Sequence, residues 1–203
     1  MTISRRAAAE AAAARIGWPG VQRRTDIAAS LPSAPAAPVA PGTWVFPFNR
    51  PAAPEEGDNQ ALAVNTEDGS TVYDVAFALV WAEDGAADNV NSAWALASCT
   101  DCTTVAVAFQ VELVLGQSDI APQNLAAAVN YSCVTCVTGA LAQQLVVTLD
   151  GPVDATTERA LAELWTRIAA YGETLEGRPL TEIRAQLTEF EREILAVLGS
   201  GAS

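Results

Sequence analysis

The chain has 203 residues, half of them apolar, which is enough for one domain of ordinary size with tails. Its 24 acidic residues against 11 basic ones give a net charge of −13, and the sequence contains neither histidine nor lysine. These composition facts exclude histidine-based catalysis, the P-loop lysine and Schiff-base chemistry. The acidic balance also argues against nucleic-acid binding, which needs a basic face. We therefore expect a protein that is not an enzyme.

The N-terminal part, residues 1–58, is rich in alanine, arginine and proline. Its first 24 residues hold five of the eleven arginines and predict a frayed helix, with an export signal or a docking peptide as alternatives. The repeated prolines between Leu31 and Gly42 indicate an extended linker. We expect residues 1–58 to form a flexible arm. No apolar run reaches the ~18–20 residues of a membrane helix, so we expect no membrane insertion. The compartment stays open, either cytoplasmic or exported.

Residues 59–150 contain three copies of a segment that recurs every 32 to 34 residues. The first copy starts at Asn59 and includes the turn sequence Glu-Asp-Gly-Ser at 67–70. The same positions of the second and third copies hold Cys-x-x-Cys motifs. Because Asp-Gly is a strong hairpin signal, the pattern predicts a β-hairpin in each copy, with each cysteine motif on a hairpin turn.

The segment after each turn alternates between a large apolar face and a small or polar face, which is typical of a half-buried strand. In the first two copies the apolar face comprises Tyr73, Val75, Phe77, Leu79 and Trp81, then Val105, Val107, Phe109, Val111 and Leu113. Three hairpins of this kind predict a repetitive antiparallel sheet, sandwich or barrel. The region carries ten carboxylates and no cation, and nothing in the pattern singles out a catalytic pair among them.

Residues 151–203 change to helical spacing and predict a helical hairpin with a flexible tail. Apolar residues run from Leu161 to Leu175 and again from Leu180 to Val197, and a Gly-Arg-Pro break lies at 177–179. Asp154 is the predicted N-cap of the first helix. The predicted fold is therefore mainly β with a C-terminal α-hairpin.

The four cysteines are the strongest candidate site: Cys99, Cys102, Cys133 and Cys136. Two Cys-x-x-Cys turns supply the four soft ligands of a structural zinc site. Disulfides are the competing hypothesis, either within each turn or between the turns, since turn ends lie within reach of a disulfide. A redox-active dithiol or four free thiols are further alternatives, and the spacing does not decide among them.

The small faces of the predicted strands are built mostly from alanine, and they allow a second sheet or a second copy of the protein to approach closely. We therefore expect a non-enzymatic binding or assembly module whose partner is another protein or a second copy of itself. The alternative function is that of a structural-zinc or redox-active Cys-x-x-Cys protein.

The region from Asn59 to Asp150 resembles the C-terminal Cys-x-x-Cys repeat domain of actinobacterial peptide zinc metalloprotease proteins. The resemblance is carried by residues 58–66, by residues 97–110 around the first cysteine motif, and by residues 133–136. Those proteins carry membrane helices and, in some members, a protease motif, and this histidine-free chain has neither. The resemblance implies an accessory or standalone version of the repeat domain, and it carries over no catalytic residue.

Overall fold

The computed structural model describes residues 27–31, 44–83, 86–116 and 119–200. The first 24 residues, with their predicted helix and their possible signal or docking role, lie outside the described residues. Most of the predicted proline-rich linker does so too. The described segments form strands β1 (Ile27–Leu31), β2 (Asn59–Asn65), β3 (Thr71–Glu83), β4 (Ala86–Ala87), β5 (Val90–Ala97), β6 (Thr103–Leu115), β7 (Asp119–Ile120), β8 (Gln123–Asn130) and β9 (Val137–Leu149), and helices α1 (Ala155–Gly172) and α2 (Leu180–Ser200).

The repeat region forms two main sheets of parallel strands, and the prediction of antiparallel hairpins is wrong. One main sheet has the strand order β1-β3-β6-β9, the other has the order β2-β5-β8, and the short strands β4 and β7 form a small third parallel sheet. Each strand pairs with its equivalent in the next copy, so that Asn59 lies opposite Asn91 and Thr71 lies opposite Thr103. Only the short β1 runs antiparallel to its neighbour, β3. The three copies are therefore three stacked coils of a β-solenoid: coil 1 (β2, β3), coil 2 (β5, β6) and coil 3 (β8, β9).

The turn within each copy joins two different sheets rather than two neighbouring strands. A period-two alternation of large and small side chains has the same appearance in a hairpin and in a coil, because successive side chains of any strand point to opposite faces. The long strands β3 and β6 are buried on both faces, so the prediction of half-buried strands is wrong for them. The two arrangements differ in which strands the backbone hydrogen bonds join. In this fold they join each strand to its equivalent in the next copy, β3 to β6 and β6 to β9. Self-similarity at about 30 residues is itself a signal of such stacking.

The space between the two sheets is lined mainly by alanine. Its buried side chains include Ala61 and Ala63 from coil 1, Ala93 and Ala95 from coil 2, and the facing residues of the long strands, Ala76, Ala106 and Ala108. The small faces recognised in the sequence therefore pack against one another inside a single chain. Small side chains let the two sheets approach closely. The bulky residues of the long strands lie on the opposite face.

The bulky face of the long strands packs against the two C-terminal helices and forms the main core. Phe77 and Phe109 stand side by side in coils 1 and 2 with ring centroids 5.7 Å apart, and Trp165 of α1 stacks on Phe109 at 6.4 Å. The helices thus form a third layer over the sheet of long strands. No helix within the described ranges is long and apolar enough to span a membrane.

A ladder of asparagine amides runs through the coils and connects the two sheets. The Asn59 amide donates to Asn91 Oδ1 (2.8 Å), and the Asn91 amide donates to Asn124 Oδ1 (2.7 Å). The same amides also donate to backbone carbonyls of the long strands, among them Ala76 O (2.9 Å) and Gln143 O (3.0 Å). Because the ladder is buried in coils 1 and 2, it fixes the register between copies and between sheets.

Replacing Asn91 with alanine removes the middle of this ladder and leaves buried partners without hydrogen bonds. We expect the free energy of unfolding to fall by about 2–4 kcal/mol, which chemical denaturation would measure. The matched control is Asn124→Ala, in the same column but exposed on coil 3, for which the loss is expected to be below about 1 kcal/mol. Equal losses in the two variants would contradict a stabilising role for the buried ladder.

The predicted N-cap of α1 is confirmed. Asp154 accepts hydrogen bonds from the backbone N–H groups of Thr157 and Thr156, each at 2.8 Å, and these bonds hold the pKa of its carboxyl below the ordinary value of 3.8. Because the pKa is lower in the folded chain, the charged cap adds stability above the unfolded pKa. That stability is lost as the pH falls through the folded value.

The Asp154→Asn variant tests this pH dependence, since asparagine caps as well as aspartate but does not titrate. We expect the wild-type chain to have the higher melting temperature at pH 6 and to lose this advantage as the pH falls below about 4. Thermal melts of both proteins at matched pH values measure the difference, and other carboxylates cancel in the comparison. A difference that does not change with pH would contradict the assignment.

Candidate metal and disulfide centre

The turns within the three copies, at residues 67–70, 99–102 and 133–136, have the same backbone conformation at their third position. Gly69, Asp101 and Thr135 occupy this position and have positive φ angles of 70°, 53° and 55°. Glycine adopts this left-handed conformation without cost, whereas a β-branched residue such as threonine is strained in it. The sequence of the first turn, with its glycine, therefore reveals the backbone shape that both cysteine turns share.

Hydrogen bonds stack the turns on one another as the strands are stacked. Gly69 N–H donates to Thr100 O (2.8 Å), and Asp101 N–H donates to Val134 O (2.9 Å). Directly after the third turn, the backbone N–H of Val137 donates to Cys102 O (2.9 Å). The two Cys-x-x-Cys motifs consequently lie one directly over the other in coils 2 and 3.

Stacking brings all four predicted site residues together. The four sulfur atoms lie within 4.8 Å of one another, and Cys102 Sγ is 3.4 Å from Cys136 Sγ. Disulfides join Cys99 to Cys102 and Cys133 to Cys136, with Cα–Cα distances of 6.1 and 5.8 Å. The cluster therefore has the arrangement either to form two disulfides or to bind a zinc ion. It is the one group in the described part of the chain with three or more possible metal ligands close together.

The first turn has the same shape without sulfur. Ser70 occupies the position of the second cysteine, and its hydroxyl shares one hydrogen between Asn65 Oδ1 and Glu67 O, each 2.7 Å away. Asn65 Oδ1 also accepts from the backbone N–H of Glu67 at 3.1 Å. Hydrogen bonds thus do in coil 1 what the cysteines do in coils 2 and 3, which shows that the turn itself does not require a disulfide or a metal.

The two motifs differ in exposure. Cys99 and Cys102 are buried, with 4% and 2% of their surface exposed, whereas Cys133 and Cys136 are half-buried because no further coil covers them in the described structure. Two carboxylates border the cluster: Asp68 accepts from Thr100 N–H (2.7 Å), and Asp101 accepts from the Thr135 hydroxyl. Because Cys133 and Cys136 are only half-buried, the cluster is accessible to solvent from the coil 3 side.

Two carboxylates of the repeat region, those of Glu112 and Asp74, take part in hydrogen bonds within the coils. Glu112 is fully buried and accepts a hydrogen bond from the Asn89 amide (2.8 Å), and Asp74 accepts one from Leu62 N–H (2.5 Å). Both therefore connect segments of the fold. The alternating pattern predicted strands at both positions, but it did not reveal that the buried carboxylate of Glu112 points between the sheets.

Comparison of the chain with family models, with curated proteins and with solved structures finds no match. The function is therefore argued from this chain's own geometry.

Thr135→Asn tests the strain at the third turn. Asparagine tolerates the left-handed conformation far better than a β-branched residue, so we expect the free energy of unfolding to rise by about 1 kcal/mol. Chemical denaturation under one fixed redox condition measures this change. The control is Thr138→Asn in the extended strand β9, where no gain is expected. A loss of stability in the Thr135 variant would contradict the argument.

Proposed function

We propose that this protein is a non-enzymatic assembly module that dimerises through the open edge of its third coil. The observation that carries the proposal is that β8 and β9 end their sheets in the described structure while residues 120–149 contain no charged residue. A long, uncharged strand edge is a template for pairing with another chain.

Coil 3 exposes positions that are buried in the other coils. Ala93 and Ala95 of coil 2 are completely buried, but their equivalents in coil 3, Ala126 and Ala128, are exposed. Large apolar side chains are exposed at the same end, including Val134 (59%) and Val137 (64%). This exposed surface thus has the apolar composition of a protein interior, as expected of a coil that another chain covers.

The opposite end of the solenoid is covered in one of its two sheets. The edge of β3 is covered by β1, which pairs with Val75 to Leu79, whereas β2 ends the other sheet of coil 1 as β8 ends it in coil 3. Natural proteins protect strand edges by such covers. The contrast between the two ends favours coil 3 as the face that associates.

The backbone of β9 directs half of its hydrogen-bonding groups to the open edge, towards a partner. The N–H of Val137 points to coil 2, where it donates to Cys102 O. Because successive residues of a strand direct their backbone groups to opposite sides, those of Thr138, Ala140 and the following even-numbered residues point to the open edge. Among these groups, Ala142 O accepts from the Asn124 side chain (3.0 Å).

The occupant that best fits this edge is a second copy of the chain, related by a two-fold axis. Stacking coil 3 on coil 1 of another copy would require the displacement of β1, whereas two open edges pair with each other as antiparallel strands. The 13 residues of β9 span about 43 Å, and the two sheets stack ~10 Å apart. The projected area of this edge is therefore roughly 430 Å², about half of the ~800 Å² that each partner contributes to a standard interface, and the adjoining groove lined by α2 would supply the rest.

Charges beside the edge are self-complementary. Arg184 and Glu191 lie two turns apart on α2 and line a groove next to β9. In an antiparallel arrangement of two such helices the arginine of each copy faces the glutamate of the other. Burial raises the pKa of the Glu191 carboxyl, so a cationic neighbour would favour its charged form.

The variant Ala128→Lys places a charge on the exposed inner position of the edge coil and is expected to prevent pairing. We expect a dimer for the wild-type chain and at least a roughly tenfold weaker dimer for the variant, measured by sedimentation velocity over a range of concentrations. The control Thr66→Lys changes the net charge equally on an exposed turn of coil 1. A wild-type chain that stays monomeric at high concentration, or equal weakening by the control, would contradict the proposal.

A second candidate function, that of a structural-zinc or redox-active Cys-x-x-Cys protein, is favoured by the proximity of the four sulfurs within 4.8 Å. It is compatible with assembly, since the cysteines lie at the turns and the proposed contact lies along the strands. The resemblance to the repeat domain of metalloprotease proteins stays a prediction, and under it the module would be an accessory form of that domain.

A further inference from the structure

We propose that Cys99, Cys102, Cys133 and Cys136 in their reduced form bind one Zn²⁺ as four thiolates and so fasten coil 3 to coil 2. This inference rests on the second candidate function and adds to it the redox state in which zinc binds and the mechanical consequence of its binding.

The sulfur positions are close to those that zinc requires. A tetrahedral site with Zn–S distances of ~2.3 Å places its sulfurs ~3.8 Å apart. The four sulfurs already lie within 4.8 Å of one another, and Cys102 and Cys136, from different coils, have their sulfurs 3.4 Å apart. Since backbone hydrogen bonds stack the two turns independently of sulfur, most of the site is in place before a metal binds.

The disulfide and zinc forms are connected by a balanced exchange. Two molecules of a small dithiol pass four electrons and four protons to the two disulfides, which become four thiols, while the dithiols become cyclic disulfides. Binding of Zn²⁺ then releases the four thiol protons and leaves a zinc tetrathiolate with a charge of −2. Two zinc–sulfur bonds thus form for each disulfide bond that is reduced.

The two forms differ in what they connect. Each disulfide joins residues three positions apart and therefore closes a loop inside one turn. Zinc joins residues 34 positions apart, such as Cys102 and Cys136, and therefore links two coils. Closing the longer loop restricts the unfolded chain more, so the zinc form holds the third coil more firmly than the disulfides do.

The test uses the full chain, reduced with a dithiol under inert gas, freed of reductant and titrated with Co²⁺ and then Zn²⁺. We expect one Co²⁺ per chain with the thiolate charge-transfer and tetrahedral d–d absorption bands, and its displacement by one Zn²⁺. Zinc is also expected to raise the melting temperature of the reduced chain.

The variants Cys102→Ser and Cys136→Ser each remove one ligand and place there the residue that coil 1 has at Ser70. We expect each to bind Zn²⁺ roughly a hundredfold more weakly or worse, and the control Ser98→Ala to bind as the wild-type chain does. Reduced wild-type protein that binds no Co²⁺ or Zn²⁺ would overturn the inference. So would unchanged affinity in either cysteine variant. If the metal fails but the two disulfides form and reduce reversibly in the same preparation, the redox-active alternative stands without zinc.

Discussion

The structure depends on one constraint: the backbone hydrogen bonds of each copy are made to the next copy and not within itself. Every registered pair of the long strands joins residues 32 or 34 positions apart, so no copy forms a sheet alone. Three copies are needed before one of them, coil 2, has neighbours on both sides. The fold is therefore stabilised by interfaces between coils, and its two ends have different properties from its middle.

In-register stacking places equivalent residues in columns, and the columns suit the residues that occupy them. Asparagine amides are both donors and acceptors, so Asn59, Asn91 and Asn124 form a chain of hydrogen bonds. The rings of Phe77 and Phe109, which lie in adjacent coils, pack edge to face. Carboxylates would repel one another in a column, and among the registered pairs of the described strands none joins two of them. The acidic residues of the described strands thus form no like-charge ladder.

The same stacking explains both the proposed interface and the proposed metal site. Because each turn lies over the equivalent turn of its neighbour, a motif with two cysteines becomes a cluster of four when it occurs in adjacent coils. Because coil 3 has no following coil in the described structure, its strand edges and its two cysteines remain accessible. A metal that fastens coil 3 to coil 2 would hold in place the edge that we propose for dimerisation, so the two features act on the same element.

The sequence by itself determined the repeat, the strands after each turn, the two helices with the Asp154 cap, and the four cysteines as the candidate site. These follow from local periodicity and turn chemistry, which a single chain segment contains. Only the tertiary structure decided that the strands are parallel, that Asp-Gly joins two sheets, and that Cys102 lies beside Cys136. The alternation of large and small side chains is identical for a strand that pairs with its own hairpin and one that pairs with the next copy. The choice between them is made by long-range packing, in which alanine faces close on each other and asparagines stack between coils.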